Sequence, residues 1–420
     1  MNFIEELRWR GMLQDMTPGI EEVLSTQKIT GYIGFDPTAP SLTIGNFVQL
    51  QLLKLFQKHG HTPIVLMGGA TGRIGDPSGK DKERDLKSVD DLNRNLEFQV
   101  GQIKKLLDFE GPNAAIMVNN YDFYKEMNVL DFMRNVGKTL TVNYMMSKDS
   151  VKNRLETGIS FTEFSYQLLQ AYDYQCLFEK YNCLLQMGGS DQWGNITSGT
   201  EFIRRNSEGK AYAVTTPLLT KADGKKFGKS EQGNIWLDPS LTSAYQFYQF
   251  WLNADDADLT KFLRYFTLRS KEEVEALEAE YADNPNGLKK ILAEELTERV
   301  HGKDALESVA QVTAILFDKN ASHEQLLQLT SSQLDTISEE IPSHQFDKSD
   351  LPLSLVDLLT DKCPVFASKG EARRAIQNNA VAINKNKVSD INALVILENL
   401  IHDKFVMIEN GKKNKFLLKS

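Results

Sequence analysis

The chain has 420 residues, 41% hydrophobic and 25% charged, an ordinary soluble composition with enough apolar material for about two to four domains. Its three cysteines, Cys176, Cys183 and Cys363, have no metal-type spacing and make no even disulfide set, which fits a reducing compartment. The first ten residues mix acids and bases without an apolar signal core, and no later run reaches membrane-spanning length, so a cytoplasmic protein without membrane attachment is expected.

The net charge of −9 is uneven. From residue 351 onward 11 Lys and Arg face 7 Asp and Glu, a net +4, so the first 350 residues carry −13. A basic tail on an acidic body points to a polyanionic partner at the tail, although a solvated charged surface gives the same count.

Residues 1 to about 27 place Leu7, Met12, Met16, Ile20 and Val23 on a rough helical period, predicting a helical segment packed outside the first domain. Thr30 to Phe35 alternates like a strand, Asp36, Pro37 and Pro40 break it, and an apolar helical pattern runs on through Leu50, Leu53 and Phe56. A loop feeding a helix start aims unpaired N–H groups and the positive dipole end at one point, which suits a phosphate. Thr38, Ser41 and Thr43 add hydroxyls there, and the same residues also serve as plain N-caps.

His61 to Met67 reads as a second strand, buried and parallel, running straight into the glycine loop Gly68 to Lys80. The loop is not a P-loop: Ile74 stands at the first glycine position and Asp81 at the Ser or Thr position. It offers Asp76 at a strand end, then Lys80, Lys82 and Arg84, a cationic segment suited to clamping a developing negative charge. Residues 91 to 157 alternate helical patterns with a short strand, Ala115 to Val118, ending at Asn119-Asn120-Tyr121, so the doubly wound β/α alternation continues. Lys138 to Glu156 reads as an insertion or a subunit contact, which the sequence does not separate.

Phe161 to Gln175 predicts a helix with Tyr166, Gln170 and Asp173 on one narrow face. Such a face serves a structural polar network or a ligand with an amine or hydroxyl. Cys183 to Met187 is another buried strand, delivering Gln186 and then Gly188, Gly189, Asp191 and Gln192, a setting suited to ribose hydroxyls. Lys221 to Ser230 is a basic, glycine-broken loop able to bring ammonium groups onto a triphosphate. Trp236 to Phe317 is helical with aromatic stripes read as core, Leu327 to Lys348 reads as a linker, and Lys369, Arg373 and Arg374 fall on one helix where they can track phosphates.

Together Tyr32 to Thr38, Gly75 to Lys80, Tyr166 to Asp173, Gly188 to Asn195 and Lys226-Phe227-Gly228-Lys229-Ser230 resemble the class I aminoacyl-tRNA synthetases, specifically the bacterial tyrosyl-tRNA synthetase family, over nearly the whole chain. The tail resembles an S4-type RNA-binding domain. The resemblance implies a Rossmann-like doubly wound parallel sheet in a catalytic domain over 1–235, which includes an insertion or dimer region. An α-helical domain facing the anticodon arm over 236–325, a linker over 326–350 and an S4-like α+β domain over 351–420 would follow. It also implies a homodimer that activates L-tyrosine with ATP, magnesium arriving with the ATP, and then charges the 3'-terminal ribose of tRNA(Tyr). No resident metal site is read.

By the same resemblance Tyr32 and Asp173 would hold the substrate phenol, Asp76, Tyr166 and Gln170 its ammonium group, and Gln186 and Asn120 would support the pocket. Gly34, Asp36, Gly45, Gly189, Asp191, Gln192 and Ser230 would meet ATP or the adenylate. Lys226, Lys229, Lys80 and Arg84, aided by Thr38, would grip the leaving pyrophosphate. The family's usual His-x-Gly-His is here Thr43-Ile44-Gly45-Asn46, so Thr43 and Asn46 remain donors without a cationic form. Two rivals follow: a synthetase-like paralogue acting as an RNA-binding or regulatory protein, and a tryptophan-activating relative, which Asp173 opposite Tyr32 disfavours.

Overall fold

A computed structural model describes residues 1–79, 86–152, 154, 158–207, 209–225, 227–230, 233–318, 320–411 and 414–420. Stretches rich in β-branched and aliphatic residues form the central sheet: β1 Asp15–Met16, β2 Thr30–Phe35, β3 Thr62–Met67, β4 Ile116–Asn119, β5 Cys183–Gly189 and β6 Tyr212–Thr216. Their order is β1-β6-β5-β2-β3-β4, parallel throughout except that β1 runs antiparallel on β6, pairing Asp15 with Thr215. In β3 every residue from Pro63 to Met67 is buried, as a strand covered on both faces requires. The N-terminal segment, expected to be helical throughout, is two helices, Phe3–Arg10 and Ile20–Thr26, with the edge strand β1 between them. Pairing to β6 satisfies backbone groups there that local periodicity does not reveal.

The chain leaves β2 toward β3 on one side, while β5 lies on the other, so the carboxyl ends of β2 and β5 border the switch point of the sheet. The helix Ile44–Lys58 starts at that crevice, capped by Thr43, and buries Phe47, Leu50, Leu53 and Phe56. The helix Phe161–Tyr181 is capped by Ser160 and ends on Asn182 in the left-handed conformation, φ 49°. It extends past the Gln175 boundary expected from sequence.

By its internal contacts the chain divides into two compact units, 1–242 with 249–300, and 243–248 with 301–420. In the first, Phe47 stacks on Phe266 at 5.6 Å, and Phe227, Trp251 and Phe262 pack round Phe266. Arg10, 2% exposed, donates to the carbonyls of Arg264, Thr267 and Arg269, so a buried guanidinium satisfies the end of the helix Leu259–Phe266.

The second unit holds a sheet ordered β12-β11-β14-β15-β9, from β9 Ser343–Gln345, β11 Val381–Ile383, β12 Asn386–Val388, β14 Phe405–Asn410 and β15 Asn414–Lys419. A small pair lies beside it, β10 Leu353–Ser354 with β13 Leu394–Val395. Leu355, Leu359, Ile376, Val406 and Leu418 belong to its core. The stretch expected as a linker over 326–350 is folded: it contains the helix Ser331–Glu340, with Leu334 and Ile337 fully buried, and β9, which pairs with β15. Its polar composition is that of one exposed helix face, which short-range reading does not distinguish from a linker.

Candidate active site

A cleft of about 790 Å³ opens where β2 and β5 end. Its floor is polar and buried. Tyr32, on β2, is 1% exposed, packs edge-on against Tyr174 at 5.2 Å, and its hydroxyl has no partner among the described residues. Asp173, also 1% exposed, accepts from Asn120 Nδ2 at 2.9 Å and lies 2.7 Å from the Tyr124 hydroxyl. Burial pushes the Asp173 carboxyl up to about 7, against the lowering effect of the hydrogen bonds from Tyr124 and Asn120. Burial, and then the Asp173 charge, push the Tyr32 phenol well up, so it stays protonated at neutral pH. Gln170 and Gln186 each present an Oε1 without a partner beside this floor.

Asn120 is fixed in turn, since its Oδ1 accepts the Ala70 N–H at 2.7 Å and its Nδ2 also donates to Thr71 Oγ1 at 2.9 Å. Thr71 donates to Asp36 Oδ1 at 2.6 Å, and Tyr166 donates to Asp36 Oδ2 at 2.9 Å. Gly68 lies so close that a Cβ there would fall 2.0 Å from Asp36 Oδ1, so no larger residue fits. On the opposite wall Asp76 accepts from Gln192 Nε2 at 2.8 Å and from the Ser78 N–H at 2.9 Å, with Asn195 Nδ2 at 3.3 Å. One continuous network therefore orients the carboxylates of Asp36 and Asp173, and a second orients that of Asp76.

The rim carries most of the other described residues read from sequence, though Ser230 is not among those lining the cleft. Gly34, Thr38, Gly45, Gly189, Asp191 and Lys229 line the cleft. Thr43 and Asn46 also line it and form a capping box: Asn46 Oδ1 accepts the Thr43 N–H at 2.9 Å and the Thr43 hydroxyl at 2.8 Å. β7 Lys229–Ser230 pairs with β8 Gly233–Asn234, and Ile44 N–H donates to the Ile235 carbonyl at 2.9 Å, tying this hairpin to the helix start. Lys80, Arg84 and Lys226 lie outside the described residues.

Sequence reading missed Thr71, Tyr124 and Asn195. Thr71 and Asn195 sit inside motifs already singled out, and Tyr124 follows Asn120 by one helical turn, a spacing that marks a shared face. In the second unit Arg373 and Arg374 are exposed on the helix Lys369–Gln377, whereas Lys369 is ion-paired with Asp357 at 2.6 Å and Asp361 at 2.7 Å. No group of three His, Cys, Asp or Glu suited to a metal ion occurs among the described residues, and no helix there is long and apolar enough to cross a membrane.

A parallel sheet with a crevice at its switch point and a hairpin bearing Lys229 tied to the start of the helix Ile44–Lys58 fits a class I aminoacyl-tRNA synthetase. The family model for tRNA synthetases class I (W and Y) matches residues 24–318, and that for the tyrosine–tRNA ligase SYY-like C-terminal domain matches residues 333–418. A tyrosine–tRNA ligase of Cytophaga hutchinsonii is 54% identical across 100% of this chain and 99% of its own, and one of Parabacteroides distasonis 51% across the same shares. A C-terminally truncated Aspergillus nidulans mitochondrial tyrosyl-tRNA synthetase superposes with a TM-score of 0.68 at 30% identity, over 75% of this chain and 94% of that one. The chain belongs to the tyrosine–tRNA ligase family. It is a ligase that activates tyrosine with ATP and charges tRNA with it.

Proposed function

We propose the following division of labour within that reaction. The substrate phenol descends to Tyr32 and Asp173, its ammonium group meets Asp76, Tyr166 and Gln170, and Gln186 and Asn120 support the pocket. The buried Tyr32 hydroxyl, without a partner among the described residues, carries this reading, because an unsatisfied buried polar group is retained where a ligand satisfies it. Phenylalanine would leave the Tyr32 hydroxyl without a partner and bring no donor to Asp173, so a site built to hydrogen-bond a phenol rejects the analogue that lacks it.

The tyrosine carboxylate, already ionised at pH 7, attacks the α-phosphorus of ATP; the new C–O–P bond forms as the bond to pyrophosphate breaks. No nucleophile or base from the protein is needed. Asp191 and Gly189 take the ribose, Asp36, Gln192, Gly34 and Gly45 border the adenylate, and Thr38, Thr43, Asn46 and Lys229 line the phosphate path, with Ser230 next along the hairpin. Lys80, Arg84 and Lys226 belong to the same cationic set by their motifs. Magnesium enters as part of the ATP substrate. Catalysis is thus positioning plus electrostatic stabilisation of charge on the leaving pyrophosphate. The terminal ribose hydroxyl of tRNA then attacks the mixed anhydride and releases AMP.

The tRNA is held in part by Arg373 and Arg374 on their exposed helix face. The active form is a cytoplasmic homodimer; support for the dimer is the exposed apolar side chains of Val129, Leu130 and Met133 on the helix Val129–Asn135 and of Val142 and Met146 on the helix Val142–Met146, Leu130 being 75% exposed. Tyrosine-dependent ATP–pyrophosphate exchange, with phenylalanine and tryptophan as controls, tests the phenol reading. Exchange with tyrosine alone is expected; equal exchange with phenylalanine would overturn it.

A further inference from the structure

Tyr124 stands outside every motif of the reaction, yet its hydroxyl reaches the deepest carboxylate in the cleft. It lies 2.7 Å from Asp173 Oδ1 and 2.9 Å from the Leu169 carbonyl. Its ring is set against Tyr172 at 5.7 Å and Phe132 at 6.5 Å, so the hydroxyl is delivered by packing. A phenol has one proton, and here it faces two acceptors. With Asp173 ionised, the charge wins that proton and Tyr124 donates to Oδ1. With Asp173 protonated, the carboxyl donates to the Tyr124 oxygen and the phenol O–H turns to the Leu169 carbonyl. Both states are fully hydrogen-bonded, and no covalent bond changes beyond the titrating proton.

Asn120 holds Oδ2 at 2.9 Å in either state. A carboxylate has about four lone-pair sites, so one donor on each oxygen leaves room for a third donor, the substrate phenol. The groups facing Asp173 are Tyr32 and Asp36 from β2 and its loop, Tyr124 and Asn120 after β4, and Tyr166, Tyr172 and Cys176 on its own helix. Of the acids among them, Asp36 raises Asp173 by its charge, and among the described residues donation from Tyr124 and Asn120 is what favours the ionised form.

We propose that Tyr124 is a positioning residue for tyrosine recognition, holding the Asp173 carboxylate aimed at the substrate phenol and turning to the Leu169 carbonyl when Asp173 carries the proton. The proposal rests on the reading that Asp173 meets the phenol. Burial raises the Asp173 carboxyl toward neutrality, so its ionisation is expected to show as the acid limb of kcat/KM for tyrosine.

Pyrophosphate exchange by the full-length protein at pH 6 to 9 tests this with Tyr124→Phe, Asp173→Asn and the double variant. Tyr124→Phe is expected to raise KM for tyrosine roughly 5–20-fold at pH 7 with kcat within about twofold, and to move the acid limb up by about one pH unit. Asp173→Asn raises KM further and abolishes the limb, and Tyr124→Phe added to it changes KM less than about twofold. An unmoved limb in Tyr124→Phe, or a fall in kcat with KM unchanged, overturns the proposal while the effect of Asp173→Asn keeps the phenol reading. Should Tyr124→Phe fail to fold, Tyr124→Met, which also removes the hydroxyl, is held to the same limits. An Asp173→Asn enzyme with an unchanged KM overturns both.

Discussion

Tyr32 carries a cost in the unliganded protein, because its hydroxyl is buried without a partner among the described residues and such a group typically costs about 1–3 kcal/mol. Tyr32→Phe removes that atom. The free protein is then expected to gain about 1 kcal/mol of stability in thermal unfolding, while KM for tyrosine rises about tenfold. A variant that lost stability and kept its KM would place the hydroxyl in structure instead of recognition. Thr43 and Asn46 follow a different logic. They satisfy one another, and because Asn46 Oδ1 takes the Thr43 N–H its orientation is fixed, which leaves the amide N–H pair as the donor that Asn46 brings to the cleft. A neutral donor of this kind supplies less stabilisation of a developing negative charge than a cationic ring would.

At the scale of elements, the basic loop is anchored by an apolar residue. Phe227 is 5% exposed, 5.2 Å from Phe262 and 5.3 Å from Phe266, so the loop leaves a fixed aromatic base. Gly228 then turns it, at φ +85°, with Ile44 Cγ2 only 2.8 Å from where a Cβ would sit. Gly228→Ala meets both the left-handed backbone cost, about 1–2 kcal/mol, and this clash. It is expected to slow pyrophosphate exchange at least tenfold, on the order of 1.4 kcal/mol, and to leave tyrosine binding without ATP within about twofold in equilibrium dialysis. Loss of tyrosine binding would show that the hairpin also shapes the floor.

Across the whole molecule, charge separates two tasks. The acidic first part of the chain holds the cleft, and the basic tail exposes Arg373 and Arg374, the pair proposed to meet tRNA. Lys369, neutralised by Asp357 and Asp361, contributes order to its helix more than field to the surface. Replacing Arg373 and Arg374 together by Glu is therefore expected to cut tRNA charging at least tenfold at moderate salt while tyrosine-dependent exchange stays unchanged. Equal losses in both assays would dissolve the division of labour.

The sequence by itself determined the parallel strands, the capped helix at the crevice and most of the cleft, because each is written in short-range terms: an apolar run, a break, a Ser or Thr cap, a polar face at helical spacing. Asp76 at a strand end and Tyr166, Gln170 and Asp173 on one helix face were legible for that reason, whereas the place of Tyr32 came, like the family, from the resemblance of motifs in order. Only the tertiary structure decided that residues 326–350 are folded, since their backbone groups are paired with partners far away in sequence, as β9 pairs with β15. It also decided that Tyr166 meets Asp36 from 130 positions away, that Lys369 is paired, and that Tyr124 stands over Asp173. Hydrogen bonds across such distances depend on where the sheet and the helix Phe161–Tyr181 place their residues in space, and no local pattern of residue types encodes that.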